Sequence, residues 1–376
     1  MKTSLFFIWK LELQRIFRDE GLLIFFLLVP LAYPLLYTFI YSGEVVRDVP
    51  TIAIDNDCSP LSRRFLRHVN ATPDAEIVYY ATNMGEAKEL LRKRLAYGII
   101  YLPKDFSNKL LSDQQAHVSL FCDMSGLLYY KSLLIACTDV SLAMNKELQI
   151  SRMPDATSRE AQVNATPIHY ESIALFNPQA GFASFIIPAV LMLIIQQTML
   201  LGAGLSAGTD RDRHQPMSNS SLVSLIGRAL AYLTLYTATA SYMLMVVPYL
   251  FDLPQLAELS SLLGFLFPYL LAVVFFSLAC ASFVPNREAA ILMFVFTSLP
   301  LLFLSGISWP KTSIPIGWKI FSWLFPSTFG INGFVCINSM GGTPDEVKNP
   351  RIALWIQAIG YFLFAWWRMR KNNKKN

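Results

Sequence analysis

Histidine, the usual proton carrier and metal ligand, occurs four times in this chain, at His68, His117, His169 and His214, with no spacing that gathers two of them. Only His169 and His214 lie near apolar segments where they could seed a polar catalytic cluster, as a lipid-handling enzyme would need. No GxxxxGK[ST], GxSxG or HExxH occurs, so neither phosphate cradling nor the common hydrolytic constellations can be built from local motifs. The five cysteines show no CxxC; Cys280 and Cys336 sit in apolar context, and a single bridge among Cys58, Cys122 and Cys137 is compatible with their placement. Asp55, Asn56 and Asp57 after a strand-like run could form a binding loop, although a turn leading into a helix cap explains them equally. Gln196, Gln197 and Thr198 sit inside an apolar run, where amides either tie helices together at ~1 kcal/mol per bond or line a path.

The elements around these residues are set by hydropathy. Six stretches run free of Asp, Glu, Lys and Arg for long enough to cross a bilayer: Gly21 to Gly43, Ser172 to Thr209, Ala229 to Phe251, Leu259 to Asn286, Ala289 to Pro310, and Ile352 to Trp367. A spanning helix needs ~20 apolar residues, because each rises ~1.5 Å and lipid offers the backbone no other hydrogen-bond partners. The last stretch is short, but Trp355, Trp366 and Trp367 extend it into the headgroup zone. With 54% hydrophobic and 15% charged residues, the chain is a polytopic membrane protein, and its net charge of +5 is spread beside apolar segments rather than forming a nucleic-acid patch. No nucleic-acid partner is expected.

Basic residues collect in alternate gaps: Lys2, Lys10, Arg15 and Arg18 before the first stretch, Arg211, Arg213 and Arg228 around the second-to-third gap, Arg287, and the tail from Arg368. The intervening short loops hold only Lys311, Lys319, Lys348 and Arg351, which places both termini in the cytoplasm. The tail Arg368, Met369, Arg370, Lys371, Asn372, Asn373, Lys374, Lys375, Asn376 has no acid and suits an anionic inner leaflet.

Ahead of the first span, Phe6, Trp9, Leu13, Ile16 and Phe17 recur at helical spacing, while Lys10, Glu12, Gln14, Arg18 and Asp19 point elsewhere. This predicts an interfacial helix that anchors in the headgroups or docks a partner. Within Glu44 to Glu171, Thr51–Ile54, Glu76–Tyr80, Tyr97–Leu102 and His117–Cys122 read as strands, alternating with helices at Ser59–His68, Met84–Leu95 and Pro103–Leu111 and followed by one over Leu127–Ile150. That alternation predicts a compact α/β domain with a parallel or mixed sheet. Pro188, Pro268 and Pro300 are expected to bend their spans. No Asp, Glu, Lys, Arg or His lies inside the six stretches, which argues against proton- or ion-coupled transport. Lys319 to Asp345 is apolar but broken by Pro326, Gly330, Gly333, Gly341 and Gly342, so it reads as a re-entrant helix pair.

The whole reads as a mainly α-helical polytopic membrane protein with six transmembrane helices and an inserted extracytoplasmic α/β domain. The divisions are an amphipathic cytoplasmic helix at 1–20, span 1 at 21–43, the α/β domain at 44–175, spans 2 to 6 at 176–367 with re-entrant helices at about 311–342, and a basic tail at 368–376.

This layout resembles the permease subunits of type 2 ATP-binding-cassette exporters, in the branch with a large extracytoplasmic domain between spans 1 and 2. The run Ser305, Gly306, Ile307, Ser308, Trp309, Pro310, followed by Ile314, Pro315, Trp318 and Leu324, Phe325, Pro326, is similar to the family's SGxxxP and re-entrant region. Gly208, Thr209, Asp210, Arg211, Asp212 and Arg213 resemble its ATPase-contacting loop, although the family places the charges before the Gly-Thr pair. The resemblance implies a bacterial inner-membrane exporter with a second permease, copy or paralogue, and ATPase subunits on which ATP and Mg bind. It implies coupling through Trp9, Arg15, Arg18 and residues 208–213, and an outer gate at Ser305, Gly306, Pro310, Pro315, Trp318 and Pro326. It implies neither enzymatic activity nor a cofactor in this chain. A membrane receptor with an extracytoplasmic ligand-binding domain, or a lipid-handling enzyme, is the alternative.

Overall fold

The computed structural model describes residues 4–153, 155, 157–168, 173–178, 180–213 and 221–373, and the chain forms two units, Val45–Ile173 and Met1–Glu44 with Ala174–Asn376. His169 and His214 lie outside the described residues.

The chain begins with helix α1 (Leu5–Arg18), then α2 (Glu20–Ile40), the first helix long and apolar enough to span a bilayer. Asp19 separates them with extended backbone, and its carboxylate caps α2 by accepting the Gly21 and Leu22 amides. Inside α2 the turn Ile24–Leu28 widens to π geometry immediately before Pro30. Proline has no N–H to close the α-type bond, and the wider turn re-pairs the backbone around it.

The α/β unit runs β1 (Val49–Asp55), α3 (Pro60–Asn70), β2 (Ala75–Tyr80), α4 (Met84–Arg92), β3 (Gly98–Leu102), α5 (Phe106–Leu111), β4 (Ser119–Cys122), α6 (Leu127–Ser151) and α7 (Ser158–Ala165). The sheet order is β2-β1-β3-β4, with β1 parallel to both neighbours and β4 antiparallel to β3, a mixed sheet. Central β1 is apolar on both faces because both are covered. Ile52 and Ile54 pack with Ala87 of α4, whereas Val49 and Ala53 pack with Phe65, Leu66 and Val69 of α3 and Leu133 and Ala136 of α6. Ser59 caps α3 in a reciprocal capping box with Ser62.

The remaining helices are α8 (Phe182–Asp212), α9 (Leu222–Leu250), α10 (Leu259–Ala281), α11 (Arg287–Leu304), α12 (Ile316–Ser322), α13 (Pro326–Met340) and α14 (Lys348–Asn373). Helix α8 is the axis of this unit, almost wholly buried along its length. Small residues set its packing: Phe26 lies against Gly202, Phe294 against Gly204, and the backbone of Arg287 comes so near Gly208 that a Cβ there would stand 2.7 Å from it.

Among the described residues, seven helices are long and apolar enough to cross a membrane, one more than the six read from sequence. The additional one is α6, whose stripe Leu133, Ala136, Cys137, Val140 and Met144 is core of the α/β unit. Helices α12 and α13 meet at 88°, so the broken apolar stretch is a bent pair. The helices through Pro188 and Pro268 continue uninterrupted; the breaks lie at Phe296 and Thr297 ahead of Pro300 and in the π turn Tyr242–Val246 ahead of Pro248.

Candidate functional site

Where α1 meets the end of α8 and the start of α9, four charged side chains converge. The buried stripe of α1 is Ile8, Glu12 and Ile16, one residue per turn. Ile8 fills the space above Gly227, and Glu12, only 1% exposed, accepts hydrogen bonds from Ser206 (2.9 Å) and Tyr232 (2.7 Å). Arg228 stands 3.8 Å from the other carboxylate oxygen of Glu12 and donates to Asp210 at 2.6 Å. Asp210 also pairs with Arg15, which donates a second bond to the Ser206 carbonyl. Two acids and two arginines thus alternate from α1 to α9, on to α8 and back to α1. A buried charge left single would be expensive, and this alternation with hydroxyl donors satisfies each one.

A second joint lies beside it. Arg287, at the start of α11, grips both oxygens of Asp19 at 2.6 and 2.7 Å, donates to Thr209 Oγ1 at 3.2 Å, and gives its backbone N–H to Asp212 at 3.1 Å. The Arg287 guanidinium holds the Asp19 carboxyl below the usual carboxylate range, opposed by partial burial and helped by the Leu22 and Gly21 amides. Arg211 donates to the Ser282 carbonyl at the end of α10.

The residues read from sequence as one loop surface therefore divide. Arg15, Thr209 and Asp210 face inward and Gly208 is a backbone contact; Arg211 and Asp212 tie helix ends together. Arg18 and Arg213 are exposed. Beside Arg18, a groove of about 430 Å³ runs along the outer face of α1, lined by Phe6, Trp9, Lys10, Leu13, Gln14 and Phe17. Trp9 also donates to Thr234 of α9 at 3.2 Å.

Sequence reasoning placed Glu12 on the solvent side of α1, and the structure buries it. The charge-free stretches that end at Thr209 and resume at Ala229 stop short of the helices: α8 continues through Asp210 to Asp212, and α9 begins at Leu222 and includes Arg228. One signal was available. Ile8, Glu12 and Ile16 share a face, and an acid between two isoleucines asks for a buried base.

Farther along α8, Gln196 accepts the backbone N–H of Ser327 at 2.7 Å, beside Pro326 in the first turn of α13, and Gln197 bonds Thr297 at 3.2 Å. At the α12–α13 corner the Trp323 carbonyl accepts from Gln357 (2.7 Å) and the Leu324 carbonyl from Tyr361, both on α14. Broken backbone is thus satisfied by side chains from two long helices, as its setting requires. Around it, Ser305 is buried, Gly306 ends α11 at φ +85° against the Lys311 side chain, Pro310 precedes a short 3-10 turn, Pro315 precedes α12, and Trp318 is 58% exposed.

The family described as ABC-2 family transporter protein matches residues 21–367. The chain is 24% identical over 328 residues to the Escherichia coli K12 protein named "Probable multidrug ABC transporter permease YbhR", covering 84% of each. It is 23% identical over 343 residues to "ABC transporter G family member 20" of Dictyostelium discoideum, covering 86% of this chain and 44% of that one.

Proposed function

Because this chain belongs to the ABC-2 transporter family and is a permease subunit of an ABC exporter, we propose that the ionic joint between α1, α8 and α9 carries motion from a separate ATPase into the spans. The observation that carries this reading is the buried alternation Glu12, Arg228, Asp210, Arg15, which makes α1 one body with two spans. The exposed Arg18 and Arg213 with the half-buried Trp9 contact the ATPase, while Arg15, Gly208, Thr209, Asp210, Arg211 and Asp212 keep the corner rigid beneath them. ATP and Mg bind the partner. Two permeases, identical or paralogous, enclose the path, and the α12–α13 corner with Ser305, Gly306, Pro310, Pro315, Trp318 and Pro326 forms its outer gate. The termini face the cytoplasm of a bacterial inner membrane, and residues 44–175 face outward. The relative named for multidrug transport supports an amphipathic or lipid-accessible cargo.

The test combines Arg18→Glu with Arg213→Glu. Both residues are exposed, so insertion and yield are unchanged while co-purification with the ATPase and ATP-dependent export fall together. Normal ATPase capture by this double variant overturns the assigned contact. An impermeant thiol reagent that reaches a cysteine at Asp113 only from the cytoplasmic side overturns the orientation.

A further inference from the structure

The α/β unit contains a cavity of about 660 Å³ outside the carboxyl ends of parallel strands β1 and β2, the place where open α/β sheets take ligands. It is within the ~300–1,000 Å³ range of small-molecule sites. Its lining comes from the end of β1 and the following loop (Asp55, Asn56, Cys58), from α3 (Arg63, Leu66, Arg67) and from the end of β2 onward (Tyr80, Ala81, Thr82). Leu66 and Ala81 are buried and form an apolar floor, while Tyr80 is 68% exposed.

Arg63 and Arg67 stand one helical turn apart on the same face of α3, and neither has an ion-pair partner among the described residues. Their neighbour Arg64, by contrast, grips Glu147 at 2.6 and 2.7 Å. Of the two acids in the loop after β1, Asp55 accepts the amides of Asp57 and Cys58 on one oxygen and the Ser62 hydroxyl on the other, and Asp57, which is not in the lining, accepts the Ser107 amide and hydroxyl on one oxygen while its other has no partner among the described residues. Two guanidinium groups beside an apolar floor and an open aromatic ring form an incomplete ion pair with a hydrophobic extension.

We propose that this cavity binds a soluble amphipathic organic anion, a carboxylate or sulfonate carried on an aromatic or alicyclic body. The anionic group sits between Arg63 and Arg67, which recognise planar oxyanions in fork geometry, and the body lies on Leu66, Ala81 and Tyr80. The inference does not depend on how the corner at α1 couples to an ATPase.

The test uses the full chain in phosphatidylcholine nanodiscs, with 2-naphthoate as probe and isothermal calorimetry as readout. Wild type binds saturably, one per chain, and R63Q/R67Q weakens binding roughly 10- to 100-fold, the loss expected for charge-assisted bonds. R64Q, altering the paired arginine on the adjoining face, leaves affinity unchanged. The neutral analogue 2-naphthalenemethanol binds wild type and R63Q/R67Q alike. Absence of saturable naphthoate binding, or equal affinity in wild type and R63Q/R67Q, overturns the proposal. Displacement of naphthoate when phosphatidylglycerol replaces part of the disc lipid overturns the assignment to a soluble anion. All three arginines lie away from the strand core, and unchanged melting of the variants separates lost binding from lost fold.

Discussion

Single charges in the joint are unequal in what their removal does. Arg228 contacts two acids, so Arg228→Leu strands Glu12 without a base and is expected to destabilise by about 3–5 kcal/mol. Glu12→Leu with Arg228→Leu removes both charges, while Asp210 keeps Arg15, so the double variant is expected to be more stable than Arg228→Leu alone. Denaturant unfolding in detergent reads this, and a double variant weaker than the single one would remove the pairing argument. Asp19 gives a pH dependence with a defined sign. Its folded-state pKa is lowered, so its contribution is complete above the unfolded value of ~3.9 and disappears as pH falls through the lower folded value. Asp19→Asn is therefore less stable than wild type at pH 6, and the two melting curves approach each other as pH drops below ~3.9; a gap that stays constant down to pH 2 would show that the Arg287 contact is not electrostatic.

At the scale of elements, close approach decides more than hydropathy. Gly208→Val would drive a side chain into the Arg287 backbone, a contact with no flexible end to move, and is expected to cost ~1–3 kcal/mol or more and to loosen α11 from α8. Cross-linking between cysteines placed on these two helices should fall in that variant. Gln196→Leu leaves the Ser327 N–H without its acceptor, a loss of ~1–3 kcal/mol confined to the α12–α13 corner. Protease sensitivity of that corner should rise while the α/β unit keeps its protection. The existence of these elements was legible in the sequence: apolar runs marked the spans, β-branched alternation marked the strands, and Pro326 with its glycines marked the bend. The burial of Glu12 was legible only as its place between Ile8 and Ile16 on one helix face; its partners Arg228 and Tyr232 were not, because they come from a helix more than 200 residues away in sequence. The surplus candidate span α6 has a similar origin. A long helix covering one face of a sheet is apolar enough to pass a length and composition test.

For the whole molecule, the consequence is a division of labour. The chain is an integral multi-pass permease, and the proposed function places nucleotide chemistry on a separate ATPase. Purified alone in lipid discs it should hydrolyse no ATP above the empty-disc background, and hydrolysis should appear on adding the ATPase; turnover by the permease alone would overturn that assignment. The π turns at Ile24–Leu28 and Tyr242–Val246 have one more implication. Each holds a spare residue in the coil. Moving that residue to the next turn re-threads part of the helix by one position and swivels its side chains by roughly 100°, with the bonds of the displaced turn re-made except at the proline, which has no N–H to give. Two helices of this bundle thus carry their own slack, a means of presenting a different wall without unwinding.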